Sequence, residues 1–400
     1  MSPGRPGVQA LARAALTYLA EPGDPVLGAL LEICEPAEVL AAIKSDMLPG
    51  IGPGCGDGPA RRRALQSALS RWRVRLPWLP DDEQITATCR DGIRLICPAD
   101  AEWPDGLDEL GSARPYALWL RGHADLGLAC LRSVSMVGAR AASGYGAHVA
   151  GEIAADLGER GWAIVSGGAY GIDAAAHRGA LATGAVTIAV LACGVDYAYP
   201  AGHAGLFAEI VEQGLVISEW PPGRQPARWR FLVRNRTIAA LTCGTVIVEA
   251  GERSGALNTA RHAAQLGKPL MAVPGPVTSA QSAGCHRIIR EWNATCVTRA
   301  DDIIEMLSPL GAVDPPGPPG PAASSTAASD AAPSRDELDT DSARVLDALP
   351  ARGAAGTSTI AAEAGVDLDT VLRCLGLLAG SGFIERCDRG WRLRKPQPAC

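Results

Sequence analysis

The sequence predicts an α/β protein with a mostly parallel sheet that is covered by helices on both faces. Short apolar, β-rich runs alternate with helical patterns between about residues 133 and 307. A glycine-rich turn at residues 166–171 joins an apolar run to an alanine-rich helical segment. Nucleotide- and nucleic-acid-binding α/β units use this arrangement to hold phosphate. The length of 400 residues allows two or three domains, one with a large core.

The α/β region is predicted to alternate seven strands with seven helices. The strands are expected at residues 133–137, 163–166, 187–191, 215–218, 245–249, 269–273 and 294–297. The helices are expected at residues 146–157, 172–182, 204–212, 228–241, 257–266, 284–291 and 301–306. Two earlier strands, at residues 92–97 and 117–120, are expected to form a lead-in that packs on the main sheet. Ligands of such sheets bind beyond the carboxyl ends of the strands, so the loops there form the candidate site.

The segments on either side of the sheet carry their own patterns. Helices are predicted at residues 8–18 and 36–43, before the turn Leu-Pro-Gly-Ile-Gly-Pro-Gly at 48–54 and an arginine-rich helix at 60–75. This turn resembles a helix-hairpin-helix, whose amides hold a DNA phosphate; a plain Gly-Pro turn with a solvated helix is the alternative.

The C-terminal part predicts a second small fold after a Pro-, Ala-, Ser- and Gly-rich stretch. Three helices (341–348, 357–364 and 368–381) and two strands (382–386 and 390–394) suit a winged helix. Such folds bind DNA or proteins, and Asp367 and Asp369 weaken the DNA case. We therefore expect a SAM- or helix-hairpin-helix-like domain at 1–80, the α/β domain at 81–310, a flexible linker at 311–335 and a winged-helix domain at 336–396.

Composition limits the class of protein. The net charge of −6 gives no basic signature to the whole chain, so any nucleic-acid surface must be local. The 12 cysteines are scattered, without C-x-x-C spacing or zinc-ligand spacing to the six histidines. This predicts free thiols in a reducing cytosol and no metal site. No signal peptide and no apolar run of membrane-spanning length is recognisable, so we expect a cytoplasmic protein.

The loops after the first two strands of the parallel region offer phosphate ligands. Arg140 follows the first strand among small residues, and Ser166, Gly167, Gly168 and Gly171 follow the second. The first loop lacks the G-x-G-x-x-G pattern, and no acidic residue follows the second strand, which disfavours a dinucleotide; no cofactor is expected.

Two further residues follow that turn on the next helix. Asp173 is expected to cap the helix. Arg178 is a better phosphate ligand than its neighbour His177, because a lone helical histidine is usually structural.

Two later segments complete the candidate site. Arginines alternate with Trp229 and Phe231 in a stretch without acidic residues, which suits single-stranded nucleic acid; the alternative places both rings in the core. The DNA ligands predicted here are Arg228, Arg230, Arg234, Asn235 and Arg236. After the next strand, Arg253 and Ser254 face the same mouth, and Glu249 is expected to orient nearby arginines, because nothing places a nucleophile or metal beside it.

Seven motifs in this order resemble the DNA-processing protein A family, also called DprA or Smf. The resemblance covers roughly residues 90–308. The motifs are Val137-Gly138-Ala139-Arg140, Ser166-Gly167-Gly168-Ala169-Tyr170-Gly171-Ile172-Asp173-Ala174-Ala175-Ala176-His177, Gly194-Val195-Asp196 with Tyr199-Pro200, Ser218-Glu219-Trp220-Pro221-Pro222-Gly223, Phe231 with Arg234-Asn235-Arg236, Glu249-Ala250 with Arg253-Ser254-Gly255, and Ala272-Val273-Pro274-Gly275 with Ser282-Ala283-Gly284.

The resemblance implies an extended Rossmann-like domain that binds single-stranded DNA without hydrolysing it. It also implies a homodimer that protects incoming strands during natural transformation and helps to load the recombinase RecA. The family's pocket arginine falls on Arg140, and its basic position ahead of Phe-x-x-Arg-Asn-Arg falls on Arg228. Tyr170 stands where the family often has Arg, Ala201 where a basic or polar residue is common, and Leu232 where Pro is usual.

Two alternatives remain at this point. A phosphoribohydrolase of the related nucleotide-processing group would need a Pro-Gly-Gly-x-Gly-Thr loop with a paired Glu, but the corresponding strand leads into Glu252-Arg253-Ser254-Gly255. A transcription regulator would read DNA through the winged helix, but the charge of that segment is close to neutral.

Overall fold

The computed structural model describes residues 6–45, 59–89, 92–308, 340–350, 354–380, 384–387 and 390–393. The turn at 48–54 and the predicted linker at 311–335 lie outside these ranges. The chain divides into two compact units, Met1–Pro318 and Pro319–Cys400.

A nine-stranded sheet organises the first unit. Its order is β1-β2-β6-β5-β4-β3-β7-β8-β9, and the strands from β6 to β9 are parallel. The strands are β1 Ile93–Ile96, β2 Leu118–Arg121, β3 Ser133–Val137, β4 Ala163–Ser166, β5 Thr187–Leu191, β6 Leu215–Ser218, β7 Gly244–Ile247, β8 Leu270–Ala272 and β9 Thr295–Cys296. The mostly parallel α/β fold is therefore confirmed.

The two lead-in strands correct the prediction. They do not pack on the sheet but extend it, because β2 pairs antiparallel with β6 and β1 pairs antiparallel with β2. Trp119 lies opposite Ser218 and Leu120 opposite Ile217.

In the part of the chain that the structure describes, this unit contains thirteen α-helices. They are α1 Val8–Leu19, α2 Pro25–Leu31, α3 Pro36–Ser45, α4 Pro59–Arg73, α5 Asp82–Thr88, α6 Leu126–Leu131, α7 Gly144–Glu159, α8 Ile172–Ala182, α9 Ala204–Gln213, α10 Arg228–Leu241, α11 Ala256–Gln265, α12 Ala283–Glu291 and α13 Ala300–Leu307. Helix α2 lies in the stretch at 8–47 that is expected to form short helices. Pro25 begins it, and the Asp24 side chain accepts hydrogen bonds from the backbone N–H groups of Val26 and Leu27.

Helices cover both faces of the sheet, which explains the continuous apolar strands. On one face, Ile238, Leu257 and Ile288 of α10, α11 and α12 belong to one buried cluster with the strands. On the other face, α7, α8 and α13 form a second cluster. The helices before residue 80 share a third cluster with α8, α9 and the outer strands, including Leu16 and Phe207. The N-terminal helices are thus packed onto the sheet within one unit.

The second unit contains three helices and a hairpin. The elements are α14 Thr340–Asp347, α15 Thr357–Ala364, α16 Leu368–Gly380, β10 Ile384–Cys387 and β11 Gly390–Leu393. The two strands pair antiparallel, and the helices enclose a small core around Val345, Ile360 and Leu375. These are the elements that a winged helix requires.

Candidate nucleic-acid interface

The strand order reverses at β3, which lies between β4 and β7. Crevices at such switch points, outside the carboxyl ends of the strands, are the usual ligand sites of open α/β sheets. The loops after β3, β4 and β7 meet there. The Ala139 N–H donates to the Glu249 carbonyl at 2.7 Å, and the Ile172 N–H donates to the Ala139 carbonyl at 3.2 Å.

The glycine-rich turn is pressed against the Arg140 loop. Gly171 has a φ of 80°, and a Cβ there would lie 2.2 Å from the Ala139 carbonyl oxygen, so only glycine fits. Behind the turn, the buried Asp173 carboxylate accepts hydrogen bonds from the N–H groups of Gly167 at 3.2 Å and Ala169 at 3.3 Å. Asp173 thus closes the turn on itself, and Gly171, rather than Asp173, is the N-cap of α8.

Arg140 and Phe231 meet at the mouth of the crevice. The Arg140 guanidinium carbon lies 5.1 Å from the centre of the Phe231 ring, within the range of a cation–π contact. Burial lowers the pKa of the nearby Arg234 guanidinium to about 10. The positive charge of the exposed Arg140 adds to this lowering. The structure therefore places Arg140 near Phe231 and Arg234 of α10.

Several aromatic rings around this mouth face solvent. Tyr199 lies 5.5 Å from the Phe231 ring, centre to centre, and Tyr170 lies 4.5 Å from the ring of His203. Trp229, in the first turn of α10, is 45% exposed. Sequence reasoning missed Tyr199 and Tyr170 as surface rings, although both stand in loops after parallel strands. The alternative that places both rings in the core fails for Trp229, and Phe231 is only partly buried.

The structure corrects the predicted role of three residues on α10. The Arg236 guanidinium donates to both oxygens of Glu219, at 2.6 and 2.7 Å, and both side chains are buried. Arg230 is 9% exposed and donates to Glu21 at 2.9 Å. Asn235 donates to Asn258 at 3.2 Å. Their donors thus serve the fold, because carboxylates and carbonyls from other segments reach them.

Arg234 and Arg228, the first residue of α10, remain candidates for the crevice. Arg234 donates to the Val190 carbonyl of β5 at 2.8 Å, and its guanidinium lies so close to Gly167 that a Cβ there would be 1.9 Å from Nη1. It is buried, so it acts on the crevice through its charge. Arg228, the first residue of α10, is exposed.

The remaining predicted DNA ligands are divided between buried and exposed positions. Ser166 is buried and donates to the Met136 carbonyl at 2.7 Å, which corrects its predicted role. Gly168 is buried against the ring of Phe207. Arg178 is exposed in the second turn of α8, and Arg253 is exposed after β7. Ser254 accepts a hydrogen bond from the Ala256 N–H at 3.3 Å, at the start of α11.

Glu249 is not bound to an arginine as predicted. Its carboxylate accepts hydrogen bonds from the Ser143 N–H at 2.9 Å and the Ser143 hydroxyl at 2.5 Å, and it packs on Gly146. Glu249 therefore orders the start of α7, below the Arg140 loop.

His177 has the structural role that the sequence suggests. Its Nδ1 lies 2.7 Å from the Thr187 hydroxyl, and burial lowers its pKa to about 3. The imidazole is therefore neutral at physiological pH. Among the described residues, no group of three His, Cys, Asp or Glu side chains could hold a metal ion. None of the helices described is both long and apolar enough to cross a membrane.

Comparison with known proteins identifies the family. Residues 94–308 match the family described as DNA recombination-mediator protein A. The chain is 41% identical over 396 residues to the putative DNA processing protein DprA of Mycobacterium tuberculosis, which covers 96% of this chain and 94% of that protein. It is 40% identical over 202 residues to the DNA processing protein DprA of Streptococcus pneumoniae, covering 50% of this chain and 70% of that protein.

The solved structures agree with this assignment. The X-ray structure of DNA processing protein A from Streptococcus pneumoniae superposes with a TM-score of 0.59 at 29% identity. The match covers 76% of this chain and 99% of that one. The predicted extended Rossmann-like fold is thereby confirmed. The chain belongs to the DNA recombination-mediator protein A family.

Proposed function

We propose that this protein binds single-stranded DNA in the crevice beyond β3, β4 and β7 and protects the strand in transformation and recombination without cleaving it. The observation that carries the proposal is the contact of the exposed Arg140 with the Phe231 ring, 5.1 Å apart. A cation beside ring surfaces suits a strand whose phosphates pair with guanidinium groups and whose unpaired bases stack. A duplex hides those base faces, so a preference for single strands follows.

The basic and aromatic groups at this mouth form a continuous set. Arg140 and Arg228 supply exposed charge, while Tyr199, Phe231 and Trp229 supply ring surfaces. The buried charge of Arg234 adds to the positive potential below them. The net charge of the whole chain is −6, so this local concentration must account for affinity.

A hydrolytic function receives less support. The Glu249 carboxylate accepts two hydrogen bonds from Ser143, and the loop after β7 does not carry the Pro-Gly-Gly-x-Gly-Thr pattern that a phosphoribohydrolase would need. The proposal is therefore a binding protein rather than an enzyme. By family resemblance it includes a cytosolic location, a homodimer and delivery of the strand to RecA. None of the ten cysteines of the described residues forms a disulfide, and a reducing compartment would keep them so.

Titration of labelled single- and double-stranded oligonucleotides at several salt concentrations tests the proposal. We expect a preference for the single strand and an affinity that falls steeply with salt. Arg140→Ala and Arg228→Ala should each weaken binding about tenfold or more, because a charge-assisted contact contributes roughly 1.5–3 kcal/mol.

Arg290→Ala is the matched control. Arg290 is an exposed arginine near the end of α12, which connects β8 to the edge strand β9, and pairs with its neighbour Glu291. Its loss should leave the affinity unchanged. Binding that is confined to duplex DNA or insensitive to salt would contradict the proposal, and release of a base from a nucleoside monophosphate would favour the enzyme.

A further inference from the structure

A cluster of three arginines surrounds Glu21 where the N-terminal helices meet α10. Glu21 Oε1 accepts hydrogen bonds from Arg75 and Arg230, both at 2.9 Å. Its other oxygen accepts from the Trp220 indole N–H at 2.9 Å. Arg224 joins the cluster by donating to the Tyr18 carbonyl at 2.6 Å. The segment between α1 and α2 is thus held by arginines from two distant parts of the chain.

Positive charge exceeds negative charge in this cluster. Three guanidinium groups, those of Arg75, Arg224 and Arg230, share the single carboxylate of Glu21. Arg224 has a lowered pKa, first because of burial and then because Arg75 and Arg230 repel its charge. The structure therefore holds like charges close together without a carboxylate for each.

Donors in the cluster remain available. A guanidinium group has five N–H donors. Arg75 keeps 34% of its side chain exposed, and Arg224 is only half-buried. Arg75 also donates to the Leu19 carbonyl at 3.1 Å, but its exposed part and that of Arg224 leave donors that an anion in solution can reach.

We infer that Arg75 and Arg224 form a second phosphate subsite, which receives the backbone of the same DNA strand after it leaves the crevice. Arg224 and Arg228 are four residues apart on either side of the start of α10, so the subsite continues the exposed surface of Arg228 and Trp229. Glu21 partly neutralises the subsite and attaches it to α10 through Arg230. The inference rests on the proposed function, whose strand it extends toward α4.

Strand length separates the subsite from the crevice. Oligothymidylates of about six and about twenty nucleotides distinguish a strand that fills only the crevice from one that continues along the surface. Arg224→Ala and Arg75→Ala should weaken binding of the long oligonucleotide several-fold and lower its salt slope by about 0.7 each, the value for one phosphate on a single strand. Binding of the short one should stay unchanged.

Substitution of Glu21 gives the sharper test, because a phosphate subsite and a purely structural cluster predict opposite changes in the affinity for DNA. Glu21→Gln removes the neutralising charge and should strengthen binding of the long oligonucleotide while steepening its salt dependence. If the cluster only fastens the N-terminal helices, the same change weakens packing and can only reduce or preserve affinity. Thermal unfolding of each variant, with Arg224→Lys to preserve the charge, separates loss of folding from loss of contact.

Arg71→Ala, near the end of α4, is the matched control. Arg71 is exposed and paired with Asp24 at 3.2 Å, so its loss should change neither the affinity nor the slope. Equal effects of Arg224→Ala on short and long oligonucleotides, or none on either, would overturn the inference while leaving the crevice intact. Failure of the proposed function is distinct, since Arg140→Ala would then leave binding of the short oligonucleotide unaffected.

Discussion

The beginning and the middle of α10 carry the same kind of residue and use it in opposite ways. Arg228 and Trp229 are exposed in the first turn, whereas Arg234 and Arg236 are buried further along the helix. Arg236 follows Trp229 by seven positions in the sequence. The difference shows that an arginine on this helix is a ligand or a structural group according to what the rest of the fold brings to it.

Buried charge requires a partner, and the middle of α10 has one. Glu219, at the end of β6, accepts two hydrogen bonds from Arg236 and a third from the Thr237 hydroxyl at 2.5 Å. The carboxylate raises the pKa of Arg236 against the opposing effect of burial. In the first turn, Arg228 and Trp229 are exposed, so a ligand can reach them.

Removal of the buried partner should give the largest effect. Glu219→Ala leaves the Arg236 guanidinium buried and uncompensated, and should lower the free energy of unfolding by about 3–5 kcal/mol. Urea denaturation followed by circular dichroism measures it. Glu252→Ala, which removes an exposed carboxylate after β7, is the control and should stay within about 0.5 kcal/mol. Equal stability of the two variants would remove the distinction between the halves of the helix.

A methyl group beside Arg234 should have an intermediate effect. In Gly167→Ala the new Cβ would lie 1.9 Å from Arg234 Nη1, so the guanidinium must move. We expect a loss of about 1–3 kcal/mol in unfolding free energy, as for overpacking, together with weaker DNA binding because the positive potential of the crevice shifts. Gly205→Ala, where a Cβ meets nothing within 4 Å, should not destabilise the protein. A stable Gly167→Ala variant with normal binding would show that Arg234 contributes nothing.

The sequence was sufficient for the fold because both of its signals are local. Alternation of short β-rich runs with helical periodicity located β3 to β9 within one or two residues, and the strand-end rule located the loops of Arg140 and Gly171. The lead-in strands failed this logic, since nothing in residues 117–120 specifies that their partner is β6.

The roles of the arginines could not be read in the same way. Absence of acidic residues near Arg230 and Arg236 suggested solvated ligands, but their carboxylates lie 209 and 17 residues away, at Glu21 and Glu219. Glu219 belongs to the family motif Ser218-Glu219-Trp220-Pro221-Pro222-Gly223, but the motif does not specify its partner. Pairing between distant charges depends on the packing of α1, β6 and α10, which local patterns do not contain.

The smallest effect on stability should come from the exposed ring of the first turn, with a disproportionate effect on binding. Trp229→Ala should change the unfolding free energy by no more than about 0.5 kcal/mol, because the ring is largely outside the core. Its loss should cost about 1–3 kcal/mol in affinity for single-stranded DNA, the usual contribution of one stacked base, and Trp229→Phe should retain much of it. Leu131→Ala, at an exposed apolar position just before β3, is the control and should leave the affinity unchanged. A large loss of stability in Trp229→Ala with unchanged affinity would show that this ring serves the fold and not the DNA strand.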